Sequence, residues 1–255
     1  MNWDPEIYMR FADERTRPAV ELLARIPEGA PSHVIDLGCG PGNSTELLLA
    51  RFPQAEILGL DSSPDMLRQA RERLPRCRFV ETDIAAWTPP ERTDLLFANA
   101  VFQWVPDHPR VMRKLVETLP AGGVLAAQMP DNTEEPALVL QRKVAAGGPW
   151  ADDLRIKAAA RGDLPAPETY YDLLGPGCSH IDIWHSIYNH ALATPQAIVE
   201  WFKGSSLQPF LAVLDAGARE RFLAAYSEEI ARAYKPRFDG KVLLRFPRLF
   251  IVAVR

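Results

Sequence analysis

Cysteine is scarce in this 255-residue chain. Cys39, Cys77 and Cys178 are odd in number and far apart, so neither a disulfide framework nor a zinc site is suggested and no metal is expected. A reducing cytoplasm is the expected compartment. Long apolar runs are also missing. None approaches a membrane span, and Met1 to Arg10 carries Trp3, Asp4, Glu6 and Arg10 where a signal peptide would be apolar. Nor is positive charge in excess: Lys and Arg total 29 against 33 Asp and Glu, a formal net charge of −4 with the signs interspersed. A polyanionic partner usually leaves a basic stripe, so neither nucleic acid nor a membrane is an expected partner. A small anion needs only a few local cations. Internal repeats and low-complexity tracts are absent. The hydrophobic share of 47% suffices for one large domain, or one domain with a cap.

The most telling stretch is Val34-Ile35-Asp36-Leu37-Gly38-Cys39-Gly40-Pro41-Gly42-Asn43-Ser44. An apolar run ends in an acid, glycines fall at alternate positions, and helix-starting residues follow. Such a strand, loop and helix start lets a ligand approach the backbone where no Cβ stands. The helix end adds free N–H groups and a positive dipole. A carboxylate at Asp36 suits a ligand carrying a cationic group better than a pyrophosphate. A dinucleotide fingerprint would need its third glycine at position 43, which is Asn43; Gly42 comes one place early. Cys39 in the loop is either reactive or a small residue tolerated in a crowded turn.

Strands and helices alternate through the first half. Asp13 to Ile26 reads as an amphipathic helix with Val20, Leu22, Leu23 and Ile26 on or near one face. Strands follow at Val34–Leu37, Ala55–Leu60, Arg78–Val80, Asp94–Ala98 and Val124–Gln128. Helices lie between them at Ser44–Phe52, capped by Asn43, at Pro64–Leu74 and at Pro109–Leu119. Continuous apolar strands at regular spacing indicate a parallel sheet covered on both faces. Ligands in such folds bind beyond the carboxyl ends of the strands, where Asp36, Asp61 and Asp83 fall. After Met129 the pattern changes. Residues 132–162 are polar and Ala-rich and read as helical in parts, broken by Gly147-Gly148-Pro149. A short helix at Glu168–Leu174 precedes a strand at Ile181–Tyr188, which sets Ile181, Ile183, His185 and Ile187 against Asp182, Trp184, Ser186 and Tyr188. Helices at Pro195–Lys203, Pro209–Leu214 and Ala218–Tyr234 lead to a last strand, Leu243–Val254, where Pro247 marks a bend or an edge. The expected division is a core at 1–130, cap segments at 131–167 and 193–240, and returns to the sheet at 168–192 and 241–255.

The glycine spacing resembles motif I of the S-adenosylmethionine (SAM) dependent methyltransferases of the Rossmann-like class. The resemblance implies an α/β, doubly wound, mostly parallel seven-stranded sheet with a helical cap formed by insertions. In that frame Gly38 and Gly40 line the cofactor. Asp61 accepts the ribose hydroxyls, with Ser62 beside it, unless it merely caps its own turn. Asp83 takes the adenine amino group while Ile84 packs on the ring, or else Asp83 caps a helix. Asn99 ends the fourth strand facing the methionine part, or is a turn residue.

A narrower resemblance, to the trans-aconitate 2-methyltransferase family, spans nearly the whole chain. It is carried by Tyr8 and Phe11, 15–25, Phe97-Ala98-Asn99-Ala100, Gln103-Trp104 and Pro106-Asp107-His108. Gln128-Met129-Pro130-Asp131-Asn132, Tyr170-Tyr171-Asp172, Asp182-Ile183-Trp184 and 246–253 complete it. It implies methyl transfer from SAM to a carboxylate of trans-aconitate, a small anionic acid. Tyr8, Arg15, Gln103, Trp104, Asn132, Tyr171 and Arg248 are the substrate-side candidates. No acid–base residue is needed, because a carboxylate is ionised at neutral pH. Trp104 either faces the sulfonium or packs in the core. Arg248 is either a pocket cation or a snorkelling edge residue, and Arg15 either reaches substrate or lies on a helix surface. His185 and His190 are read as strand-face packing ahead of carboxylate binding or base roles. Asn99-Ala100-Val101-Phe102 lacks the double proline usual in enzymes that methylate exocyclic amino groups of nucleic acids, and no Pro-Cys nucleophile occurs. Three other readings stay open: a hydroxyl or amine acceptor, a SAM-binding regulator without catalysis, and a nicotinamide oxidoreductase.

Overall fold

The computed structural model describes residues 12–157 and 162–255. Its sheet has seven strands in the order β3-β2-β1-β4-β5-β7-β6. They are β1 His33–Leu37, β2 Glu56–Asp61, β3 Arg78–Glu81, β4 Leu95–Asn99, β5 Val124–Pro130, β6 His180–Leu192 and β7 Val242–Val254. Strands β1 to β5 are parallel, and β7 runs antiparallel to β5. Strand order reverses between β1 and β4, which opens a crevice beyond their carboxyl ends. The chain forms two compact units. One comprises Asp13–Pro130, Leu164–Ser186 and Arg248–Arg255; the other is built from Asp131–Asp163 and Ile187–Pro247.

In the sheet unit every residue of β5 is buried, as are four of the five residues in β1 and in β4. Helices α1 Ala12–Ala24 (from Asp13 onward), α2 Asn43–Arg51, α3 Pro64–Arg73, α4 His108–Thr118 and α7 Pro167–Leu174 belong to this unit. Helix α4 turns Met112, Leu115 and Val116 into the core, where they join Leu37, Leu96, Ala127 and Ile251. Each fully buried side chain of this size contributes roughly 1.5–3 kcal/mol. Helix α3 starts as its sequence indicates: Pro64 stands in the first turn, and Ser63 Oγ accepts from Met66 N at 3.4 Å. Helix α2 does not. Its N-cap is Gly42, in the left-handed region at φ 92°, and Asn43 is already helical. The Asn43 side chain instead accepts from Arg73 at 3.1 Å. In α1, Ala19, Leu22 and Leu23 are buried, but Val20 points outward, 48% exposed.

The second unit contains α5 Pro136–Gly147, α6 Ala151–Lys157, α8 Pro195–Lys203, α9 Gln208–Leu211 and α10 Ala216–Ala233. Its core is aromatic. Trp150 meets Phe222 edge-on at 5.4 Å, and Tyr226 OH donates to Ala137 O at 3.1 Å. His190 is buried here, stacked on Tyr188 at 5.9 Å and tilted against Trp201 at 4.9 Å. His185 is exposed, and so is Ile187, while Tyr188 is buried. The expected sense of alternation is therefore reversed at the end of β6, because the aromatic core of this unit claims Tyr188, His190 and Leu192.

Strand β7 lies between β5 and β6, so it is not an edge. Pro247 immediately precedes Arg248, where the register with β5 begins, and its carbonyl still accepts from Asp131 N at 2.9 Å. Among the described residues no helix is long and apolar enough to cross a membrane.

Candidate active site at the strand ends

The glycine loop after β1 holds three left-handed residues: Gly38 at φ 67°, Gly40 at φ 54° and Gly42 at φ 92°. The reasons differ. A Cβ on Gly38 would lie 2.4 Å from the Val101 side chain, so glycine is required for packing. A Cβ on Gly40 would meet no atom within 4 Å. Its bare face opens outward, as a backbone approached by a ligand requires. Cys39 is buried inside the loop, and burial pushes its thiol far above the ordinary range, which leaves it inert packing.

Asp36 lies fully buried beneath the loop. Its Oδ2 accepts from Ser44 Oγ at 2.8 Å and from Thr45 Oγ1 at 2.6 Å, which ties β1 to the start of α2. Its Oδ1 is buried with no hydrogen-bond partner among the described residues. Burial pushes the carboxyl up to about 7, against the opposing pull of the two hydroxyls. Asp61, at the end of β2, accepts from Gly40 N at 2.9 Å through Oδ2 and from Ser63 N at 2.8 Å through Oδ1. Partial burial raises its pKa, partly offset by these N–H groups. Ser62 beside it is exposed. Asp83 caps its own turn, with Oδ1 accepting from Ala85 N at 2.9 Å, and its residue stays exposed; Ile84 is buried in the core.

Beyond β4 the chain turns sharply. Ala100 is held left-handed at φ 58°, a conformation costing a non-glycine residue about 1–2 kcal/mol. Strain of this kind concentrates at functional sites. Its N–H donates to Gln128 O at 2.9 Å, and its carbonyl accepts from Gln103 Nε2 at 2.5 Å. The donor end of Gln103 is thus spent on its own turn, and its Oε1 is buried with no hydrogen-bond partner among the described residues. Trp104 is half-buried in the same short turn.

Gln128 was missed as a site residue, although it is central here. It sits on β5, between β4 and β7, and is buried. Its Nε2 donates to Asn99 Oδ1, and its Oε1 accepts from Arg248 Nη1 at 3.0 Å. Arg248 is 4% exposed in an interior strand, which rules out the snorkelling edge residue. Two signals were available: a polar residue inside the apolar run of β5, and the place of Gln128 in the 128–132 stretch that carries the family resemblance.

Tyr171 is 59% exposed on α7, whereas its neighbour Tyr170 is buried with its OH 2.7 Å from His108 Nε2. Asn132 is buried in the second unit. Tyr8 and the Arg15 side chain lie outside the described residues.

Residues 34–123 match a methyltransferase domain family. The chain is 58% identical over 254 residues to a trans-aconitate 2-methyltransferase of Rhodopseudomonas palustris, covering 100% of this chain and 99% of that one. It is 50% identical over 255 residues to one from Agrobacterium fabrum, covering 100% of both. Among solved structures, the YcgJ protein of Bacillus subtilis superposes with a TM-score of 0.60 at 13% identity, covering 94% of this chain and 98% of that one. A Haemonchus contortus phosphoethanolamine N-methyltransferase 2 in complex with SAM superposes at 0.54 with 18% identity, covering 94% of this chain and 52% of that one.

Proposed function

Because this chain belongs to the trans-aconitate 2-methyltransferase family, we propose that it esterifies one carboxylate of trans-aconitate. The products are a monomethyl ester and S-adenosylhomocysteine. SAM supplies the methyl group, carried on a sulfonium that makes it electrophilic. The sheet unit suits that cofactor. Gly40 offers bare backbone, Asp61 a carboxylate at the ribose position, and Asp36 a buried acid with one oxygen to spare. Asp83 and Ile84 supply an acid and an apolar wall for the adenine, and Asn99 an amide for the methionine end.

The observation that carries the acid reading is Arg248, a cation buried in the same unit as the glycine loop and joined through Gln128 to Asn99. A buried guanidinium favours an anionic acceptor and pairs well with carboxylate oxygens. Trp104, half-buried after β4, offers a ring face to the cationic centre. Asn132 and Tyr171, with Tyr8 and Arg15, remain candidates for the carboxylates that do not react.

An ionised carboxylate attacks without a general base. The work of the residues is to hold nucleophile and methyl in line, positioning that can be worth up to about 7–11 kcal/mol in favourable cases. A cytoplasmic setting fits three cysteines that are all free thiols.

The test is mass spectrometry on a panel of di- and tricarboxylic acids incubated with protein and SAM. A gain of one methyl on trans-aconitate is expected. Methylation of phenols or amines, with no acid methylated, would overturn the reading and leave the fold assignment standing.

A further inference from the structure

Arginine can only donate hydrogen bonds, never accept them. That asymmetry propagates through three strands. The Arg248 guanidinium donates to Gln128, so the carbonyl end of the Gln128 amide must face β7. The NH2 end must then face β4, where it donates to Asn99 Oδ1. With its oxygen spent inward, Asn99 keeps its own NH2 group as the end that Gln128 does not engage. The residues are 29 and 120 positions apart in sequence, yet Asn99 and Gln128 are register partners and Arg248 pairs opposite Pro130, two residues along β5. Gln128 also accepts the N–H of Ala100, so one residue holds both the strained backbone after Asn99 and the orientation of its amide.

We infer that Gln128 is a positioning residue that transmits the donor polarity of Arg248 to Asn99, so that Asn99 Nδ2 meets a carboxylate of a bound ligand at the end of β4. This rests on the methyltransferase reading above. The carboxylate has two possible sources, the amino-acid portion of the cofactor and the acid substrate, and both require a donor at Asn99. Either amide orientation would fill the same space, so packing alone does not select it. The fixed cation does.

Gln128→Glu tests this. Glutamate can only accept, so it keeps Arg248 as a partner but forces Asn99 to turn its NH2 inward and its oxygen toward the ligand. Binding of S-adenosylhomocysteine and of 5′-methylthioadenosine, which lacks the amino-acid portion, is measured by calorimetry, and the KM for trans-aconitate by turnover. If the carboxylate is the cofactor's, S-adenosylhomocysteine should weaken about tenfold or more while methylthioadenosine is unchanged, the scale of a hydrogen bond to a charged group. If it is the acid's, the KM for trans-aconitate should rise by a similar factor with both nucleosides unchanged. Equal weakening of both nucleosides would mean a merely structural role, and no change anywhere would mean that Asn99 polarity is irrelevant; either overturns the inference. Should Gln128→Glu not fold, Asn99→Asp is the second variant. It removes the donor without burying a new charge beside Arg248, and the same selective loss is expected. A folded Asn99→Asp with wild-type affinity for all three ligands also overturns it. Wild-type protein that binds S-adenosylhomocysteine but methylates no acid would instead defeat the substrate reading, while the nucleoside comparison still tests Gln128.

Discussion

The main-chain N–H of Gly40 donates to Oδ2 of Asp61 at 2.9 Å, bridging the loop after β1 and the end of β2. The same carboxylate holds the Ser63 N–H through its other oxygen. Asp61 therefore braces the glycine loop, and each oxygen keeps further acceptor capacity for a ligand hydroxyl.

Asp61→Ala should weaken S-adenosylhomocysteine binding by about 1.5–3 kcal/mol, the scale of hydrogen bonds to a charged group. The protein should stay folded, since the residue ends a strand and is only partly buried. Calorimetric titration measures this. Unchanged affinity in the folded variant would remove Asp61 from the cofactor site.

Gly38→Ala and Gly40→Ala should separate stability from binding. Both force alanine into the left-handed region, costing about 1–2 kcal/mol each. Only Gly38→Ala also drives a methyl into Val101, an overpacking cost of roughly 1–3 kcal/mol more. Gly38→Ala should show the larger loss in urea denaturation. Gly40→Ala should show the larger loss of S-adenosylhomocysteine affinity relative to its loss of stability. The reverse order would mean that the open face of Gly40 is not where the ligand lies.

Asp36 should make the ligand-free protein less stable as pH rises. Its carboxyl moves from an ordinary 3.8 to about 7, chiefly through burial. Between those values the native state retains a proton that the unfolded chain has released, so this contribution falls as pH rises and is fully lost above about pH 7. The upper bound is about 4 kcal/mol, at 1.36 kcal/mol per unit. Asp36→Asn removes the titration, so its stability relative to wild type should improve between about pH 5 and about pH 8. Denaturation at both values checks this; a constant difference would show that Asp36 does not titrate in this window.

Arg248→Ala should raise the KM for trans-aconitate more than that for SAM, since it removes a cation that suits a non-reacting carboxylate. Without the guanidinium the Gln128 amide can take either orientation, so Asn99 presents its donor only part of the time and a smaller rise in the KM for SAM should accompany it. Stability should fall by about 1–3 kcal/mol, because Gln128 Oε1 loses its partner in a buried site. Equal effects on both substrates would indicate general damage to the sheet.

The single-turnover rate, with both ligands saturating, should change less than about threefold between about pH 6.5 and 8.5, because the acceptor is already ionised. A rise of about tenfold per pH unit would require a base and point to a hydroxyl or amine acceptor.

The order of strands and helices through β5, the glycine loop, and the acids at the ends of β1 and β2 were legible in the sequence. Their signals are local: an apolar run, a glycine that tolerates positive φ, a proline in a first helical turn. Three outcomes were decided only by the tertiary structure. Strand β7 inserts between β5 and β6, which makes Pro247 interior and buries Arg248. Tyr170 turns inward to His108 while Tyr171 faces out. Gln128, one polar residue in an apolar strand, lies between a cation 120 positions away and an amide 29 positions away. No local pattern encodes these, because burial and hydrogen-bond polarity depend on which distant strands become neighbours. Sequence spacing alone cannot say which end of an amide faces an arginine.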